Sequence, residues 1–415
     1  MGRSSLNEPL AAGLAAVKSA DRALLQQLCY GSLRSYQRLN GVLRQLLKKP
    51  LKRKDADIEA LILCGLYQLL EMRTPDHAAI STTVEACRVL GKPWATGLVN
   101  GVLRRCSREA EALLAALDEA AHCSHPRWLL GALKSAWPEH FPEIIDANNG
   151  QPPMCLRINA RKTHREDYLR QLEQAGIPAI PCEWAADGIR LASAVDVSRL
   201  PGFDDGLVSV QDEAAQLAAA IVQAAPGDKV LDVCAAPGGK ACHILEGQMQ
   251  LGGLVAMDLD PARLQRIHEN LNRLQLSAEV LLGDGMQPPG SLGKESFDHI
   301  LVDAPCSGSG VIRRHPDIKL LRQENDIPGF ATLQLSILNG VWPLLRPGGR
   351  LLYVTCSVLP AENRELIDSF LQVDKAARLL PLERPWGLDI NGARQLLPTA
   401  DGADGLFYAL LQKAQ

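Results

Sequence analysis

Two cysteines stand in contexts that favour chemistry over packing. Cys306 lies in Asp303-Ala304-Pro305-Cys306-Ser307-Gly308-Ser309-Gly310 and Cys356 in Thr355-Cys356-Ser357, each just after an apolar, β-branched run. A buried cysteine is commonly a small hydrophobe, and that reading suits Cys29, Cys64 and Cys87 on apolar helical faces. A thiol followed by serine and glycine at a strand end is partly exposed, and cations such as Lys240, Arg313 or Arg314 can hold it as the nucleophilic thiolate. Two thiols with Asp303 suit covalent catalysis in two steps, one group adding to the substrate and another assisting proton removal and release.

The residues around these thiols describe a cofactor site. The loop Cys234-Ala235-Ala236-Pro237-Gly238-Gly239-Lys240 ends one apolar run and enters a helix, so small residues admit a ligand close to the backbone and a helix start offers free amides to a carboxylate. It matches neither the dinucleotide-binding glycine pattern nor a phosphate loop, which disfavours NAD and ATP. Asp258 ends the next run, where an acid suits a ribose diol. Asp284, between Gly283 and Gly285, can accept from an exocyclic amine or serve as an ordinary turn aspartate. Glycines, a diol acceptor and an amine acceptor at successive strand ends fit S-adenosylmethionine. Beside such a methyl donor, a thiolate suits methylation at carbon 5 of cytosine, a carbon that becomes nucleophilic only after sulfur has added at carbon 6.

Elements of three kinds must position these groups. From Ala11 to about Leu117 apolar residues recur at helical spacing, with breaks at Lys49-Pro50, Thr74-Pro75 and Gly91-Lys92-Pro93. Between about Ser124 and Gln223 the pattern is mixed. It predicts helices at Trp128 to Trp137 and Tyr168 to Gln174, and strands at Met154 to Ile158, Gly188 to Leu191 and Gly206 to Val210. From Gly227 onward the runs Lys229 to Val233, Leu254 to Met257, Ala278 to Leu282, His299 to Val302 and Arg350 to Val354 alternate with helical stretches. Nearly continuous apolar strands in that rhythm predict a doubly wound α/β sheet whose ligands bind at the carboxyl ends of the strands.

Composition sets the bounds. At 415 residues, 47% apolar and 22% charged, the chain is an ordinary folded protein of several domains. The 11 cysteines include no C-x-x-C pair, and His122-Cys123-Ser124-His125 has no second ligand pair nearby, so reduced thiols and no metal are expected. No apolar stretch reaches the roughly 18 residues of a membrane helix and no leader is visible, so a cytoplasmic address is expected. Residues 1–135 carry 19 Lys plus Arg against 12 Asp plus Glu, and the remainder 25 against 35. A basic module beside an acidic remainder suits a separate grip on a polyanion. Within it, Lys48-Lys49-Pro50-Leu51-Lys52-Arg53-Lys54 holds five cations in seven residues and is a candidate phosphate contact.

Five motifs together resemble a known family over nearly the whole chain. They are Q-D-E-A-A-Q at 211–216, C-A-A-P-G-G-K at 234–240, D-A-P-C-S-G-S-G-V-I-R-R-H-P-D-I-K at 303–319, T-C-S-V-L-P-A-E-N at 355–363 and G-L-F-Y-A at 405–409. The chain resembles the bacterial 16S rRNA cytosine C5-methyltransferases of the RsmB (Sun/Fmu) type. The resemblance implies three parts: an all-α NusB-like RNA-binding domain at 1–135, a small α+β module at 136–225, and a Rossmann-like class I methyltransferase domain at 226–415 that uses S-adenosylmethionine. It assigns Asn100-Gly101-Val102-Leu103-Arg104 to the NusB-like signature, and implies that the first helix of that domain is missing ahead of Met1-Gly2-Arg3-Ser4-Ser5. It further implies Cys356 as nucleophile, Cys306 in product release and Asp303 beside them, with cofactor contacts at Cys234, Ala235, Ala236, Pro237, Gly238, Gly239, Lys240, Asp258, Asp284 and Asp303. DNA cytosine methyltransferases use the cysteine of the P-C motif instead. The implied partner is 16S rRNA, methylated at the RsmB-type site, cytosine 967, by a monomer. Two rival readings share much of this sequence: another RNA or tRNA cytosine C5-methyltransferase, and a non-catalytic RNA-binding or antitermination protein.

Overall fold

Proline and glycine punctuate the first third of the chain, and helices fill the intervals. These are α1 (Asn7–Ala16), α2 (Ser19–Arg34), α3 (Tyr36–Leu46), α4 (Ala56–Leu70), α5 (Asp76–Val89), α6 (Thr96–Ala115), α7 (Glu119–His122), α8 (Arg127–Ala136) and α9 (Phe141–Asn149). The breaks at Pro50, Pro75 and Pro93 fall between helices, as the missing proline amide requires. Leu39, Val42 and Leu43 of α3, Ile58, Ile62 and Leu66 of α4, and Val99, Leu103 and Cys106 of α6 share one core. The computed structural model describes residues 5–415. The expected start of the helical module, Met1 to Ser5, therefore falls almost wholly outside the described residues.

Residues up to Asn149 form one unit together with Ile312–Glu324. In that returning segment Lys319 is 2% exposed. Its ammonium donates to the carbonyls of Arg34 and Ser124, both at 2.9 Å, and to Asn149 Oδ1 at 2.6 Å. Burial, with Arg34 and Arg38 adding to it, pushes its pKa well down. The His122-to-His125 cluster lies in the same unit. Its His125 is fully buried, one ring nitrogen 2.7 Å from the Cys123 carbonyl and the other 3.2 Å from Asn148 Nδ2.

The second unit comprises residues 150–311 and 325–415. It opens with a four-stranded antiparallel sheet in the order β2-β3-β1-β4. Its strands are β1 (Cys155–Ile158), β2 (Ala179–Pro181), β3 (Gly188–Leu191) and β4 (Val208–Val210), with helix α10 (Arg165–Gln174) after β1. Strand β2 escaped the sequence reading because it is an edge strand with two of its three residues exposed and a proline at its end. Helix α11 (Glu213–Val222) starts in the Q-D-E-A-A-Q motif, where Asp212 caps it by accepting from the Ala214 amide at 2.9 Å.

The large sheet follows, built from β5 (Lys229–Val233), β6 (Gly253–Asp258), β7 (Glu279–Leu282), β8 (Phe297–Asp303) and β9 (Leu345–Thr355), all parallel. Between them run α12 (Gly239–Gly247), α13 (Pro261–Leu274) and α14 (Ile327–Val341), and α15 (Arg364–Val373) follows β9. Four further strands, β10 (Ala377–Leu380), β11 (Leu388–Ile390), β12 (Ala393–Gln395) and β13 (Phe407–Lys413), extend the β9 edge in antiparallel fashion. The G-L-F-Y-A motif is the start of β13, which pairs Phe407, Tyr408 and Ala409 with Thr355, Val354 and Tyr353.

A buried ion pair joins the small sheet to helix α12. Arg157 on β1 donates Nε to Glu246 Oε2 at 2.9 Å and Nη2 to Oε1 at 3.0 Å, both side chains being at most 2% exposed. Its remaining nitrogen donates to the Gly239 carbonyl at 2.8 Å and to Gln211 Oε1, so the guanidinium also fixes the first peptide of α12. Glu246→Ala is expected to cost roughly 3–5 kcal/mol by stranding the charge, and Arg157→Met with Glu246→Leu to recover most of it. Urea denaturation checks both; an unchanged midpoint in Glu246→Ala contradicts the bracing role.

Candidate active site

Chain order reverses at β5, with β6 and β7 to one side and β8 and β9 to the other. At such a switch point the connecting loops part and leave a crevice at the carboxyl ends of the strands. A cavity of about 370 Å³ opens there, and Cys234, Asp258, Asp284, Asp303, Cys306 and Cys356 all line it.

The two sulfurs meet in this cavity. Cys306 Sγ, three residues past β8, lies 3.3 Å from Cys356 Sγ, directly past β9. The hydrogen bond between the two sulfurs comes first, and burial second, in pushing the Cys306 pKa well up, so Cys306 remains a thiol. The loops carrying the sulfurs are laced together. Gly310 N donates to the Cys356 carbonyl at 2.9 Å, and a Cβ on Gly310 would lie 2.0 Å from the Gly405 carbonyl oxygen, which admits only glycine there. Beneath them, fully buried Glu362 accepts from Ser307 N at 2.7 Å, Ser307 Oγ at 2.5 Å, Ser357 Oγ at 2.6 Å and Gln334 Nε2 at 3.2 Å. Asn363 continues the lacing, taking the Thr355 hydroxyl at 2.5 Å and donating to the Ser357 carbonyl at 2.9 Å.

On the cofactor side, Cys234 and Ala236 line the cavity and Ala235 is buried behind them. Gly238 caps α12 with φ +93°, and a Cβ there would press on Ile267 at 3.3 Å. Cys234 also presents a sulfur, but burial, with Asp303 and Asp258 adding to it, lifts that thiol to about 12 and keeps it protonated. Asp258 is 2% exposed and accepts the amides of Ala236 at 3.0 Å and Asp260 at 3.2 Å. Asp284 does make an aspartate turn, taking the Met286 amide on Oδ1 at 2.8 Å, while its second oxygen has no partner among the described residues. Asp303 receives the Lys240 ammonium at 2.6 Å. Burial would depress that lysine, yet the carboxylates of Asp303 and Asp232 more than reverse it. Of the cations named beside the thiols, Lys240 is thus committed to Asp303, while Arg313 and Arg314 belong to the segment counted with the helical unit.

Four residues escaped the sequence reading: Arg157, Asp232, Gln334 and Glu362. Glu362 and Gln334 are polar residues with no exposure. An acid two residues before the cofactor loop, within the apolar run Val230-Leu231-Asp232-Val233, was the available signal for Asp232.

Three family models match successive parts of the chain: the NusB family over residues 3–108, the RsmF/B-like ferredoxin-like domain over 125–198, and the 16S rRNA methyltransferase RsmB/F over 219–412. The ribosomal RNA small subunit methyltransferase B of Pseudomonas putida is 52% identical over 99% of this chain and 95% of its own length. The protein of that name from Pseudomonas syringae is 50% identical over 99% and 94%. Among solved structures, that of PH0851 superposes with a TM-score of 0.84 at 24% identity, over 95% of this chain and 91% of the other, a likeness of fold.

Asp232 carries a pH signature. Neither of its oxygens has a hydrogen-bond partner among the described residues, and burial, with Asp303 next, lifts it to about 8, the Lys240 ammonium giving only partial relief. Because the folded state holds this proton and the unfolded state releases it near pH 4, stability declines as pH rises through that window up to about 8. Asp232→Asn, which mimics the neutral acid, is expected to remove that component. Urea midpoints at about pH 5 and about pH 8 should converge relative to wild type; an equal decline in the variant contradicts the assignment.

Proposed function

Because the chain belongs to the ribosomal RNA small subunit methyltransferase B family, we propose that it methylates carbon 5 of a cytosine in 16S rRNA, at the RsmB-type site, through a covalent adduct with Cys356. The observation that carries this reading is the pair of sulfurs, 3.3 Å apart, lining the same cavity as three strand-end carboxylates. The division of labour follows the parts described above, with residues 1–135 binding RNA, 136–225 joining, and 226–415 performing the chemistry.

The residues fit S-adenosylmethionine. Asp258 suits its ribose diol, the open oxygen of Asp284 its adenine amine, and the Cys234-to-Lys240 loop its amino-acid tail. Bound there, it supplies a methyl group on a sulfonium. The chain's own groups do the rest. The Cys356 sulfur forms a bond to carbon 6 of the cytosine, and the electron pair displaced from the 5,6 double bond makes carbon 5 the nucleophile. Once carbon 5 carries the methyl group, its proton must leave to a base, and the returning electron pair expels the Cys356 sulfur and restores the double bond. Asp303, anchored by Lys240, and Cys306, held as a thiol, are the groups disposed to manage protons in that second half. Cys306 is the one assigned to release.

Incubation with methyl donor and a hairpin carrying 5-fluorocytosine, which has no removable proton at carbon 5, is expected to trap a protein–RNA adduct stable to denaturing gels. Cys356→Ala should give no adduct and lose at least about a thousand-fold in rate, the scale of covalent catalysis. Cys306→Ala should accumulate adduct even on ordinary RNA. Absence of any adduct from the wild-type protein defeats the proposal, and the reverse pattern of variants reassigns the nucleophile.

A further inference from the structure

We propose that the corner formed by Trp94 and the Lys48-to-Lys54 loop docks an unpaired RNA base together with its flanking phosphates. The inference rests on RNA being the substrate and adds where the RNA is held.

Trp94 stands in the short helical turn Pro93–Ala95 and is 57% exposed, with Leu90 at 45% and Val89 at 83% beside it in sequence. A large apolar surface of this size in a small helical module is costly to leave in water without a use. Its surroundings say which use. The neighbouring Lys92 reaches across to the basic loop, donating to the Lys54 carbonyl at 3.0 Å, to Asp55 Oδ1 at 3.1 Å and to Asp57 Oδ1 at 2.7 Å. That lysine does two things at once: it fastens the Trp94 turn to the loop, and it pairs with Asp55 and Asp57, the two acids that follow the basic run. Lys48, Lys49, Lys52, Arg53 and Lys54 are exposed, and none has a side-chain hydrogen bond or ion pair among the described residues. An exposed indole bordered by unspent cations is the composition of a single-strand nucleic-acid platform, in which the ring stacks on a base and the cations follow the backbone. An acidic protein surface would satisfy the cations but offer no aromatic face to the indole, whereas RNA supplies both.

The test uses the full chain and a fluorescein-labelled small-subunit rRNA hairpin with an unpaired cytosine, followed by fluorescence anisotropy. Trp94→Ala is expected to bind roughly ten- to a hundred-fold more weakly, and Trp94→Phe within about three-fold of wild type, since a phenyl ring still stacks. Neither should change the dependence of affinity on salt. Lys52→Glu with Arg53→Glu should flatten the slope of log affinity against log salt by roughly two. Circular dichroism accompanies each variant, and the phenylalanine and charge-reversal chains carry the test should Trp94→Ala misfold. Wild-type affinity in Trp94→Ala overturns the proposal. So does an unchanged salt slope after charge reversal, or a loss seen only with protein-containing ribosomal particles and not with naked RNA, which would make the corner a protein-docking surface. Methylation of the same hairpin by the wild-type chain is measured in parallel; its absence counts against the enzymatic reading and leaves the docking corner standing or falling on affinity alone.

Discussion

Two sulfur atoms 3.3 Å apart, contributed by chain segments fifty residues apart, need loops that cannot wander. The carboxylate of Glu362 supplies that constraint. It takes two bonds from Ser307 on the Cys306 loop, one from Ser357 on the Cys356 loop and one from Gln334 on α14. Each donor is buried, and a buried donor left without its acceptor costs about 1–3 kcal/mol. The network therefore resists any motion that would open one loop without the other. On the proposed mechanism, a nucleophile and a release group on independent loops would drift relative to each other by more than the chemistry tolerates. Parallel strands β8 and β9 bring the thiols to adjacent positions; the carboxylate keeps them there.

The same logic governs the cofactor side, with charge reversed. Arg157 is as buried as Glu362 and satisfies its donors on Glu246, Gln211 and the Gly239 carbonyl. It ties a strand of the small sheet to the peptide at which α12 begins, so the small module acts as a buttress for the loop before that helix. Cavity and buttress belong to one unit, which is why a stability defect at Glu246 and a defect in cofactor handling should be hard to separate by mutation.

What the sequence disclosed and what it hid divide along a physical line. Strand runs, helix breaks, small residues at strand ends and cysteines followed by serine all leave a local trace, because each reflects the conformation of its own few residues. Cys306, Cys356, Asp258, Asp284 and Asp303 could therefore be named, and the structure brings them to one cavity. The partners of Glu362, Arg157 and Lys319 leave no such trace. A buried polar residue is stable only through groups far away in sequence, 89 residues away for Arg157 and Glu246, and a local window reads it as an ordinary surface charge. The antiparallel β10 to β12 edge was hidden for a related reason: strands of three or four residues, each with a charged member, lack the continuous apolar runs that marked β5 to β9.

The charge asymmetry of the chain then has a physical reason. The cavity gathers Asp258, Asp284 and Asp303 around a site suited to a cationic sulfonium, and a carboxylate-rich wall favours such a ligand by direct attraction. The same wall repels phosphates. A site that must hold a cation and admit a polyanion cannot draw its affinity for the polyanion from its own lining. That affinity has to come from residues outside the cavity, and the excess of Lys and Arg lies in the first 135 residues while the remainder is acidic. On the proposed function, separating the two charges into different parts of the chain lets each ligand be bound without the other's electrostatics opposing it, and it assigns the salt sensitivity of RNA binding to the helical part and not to the chemistry.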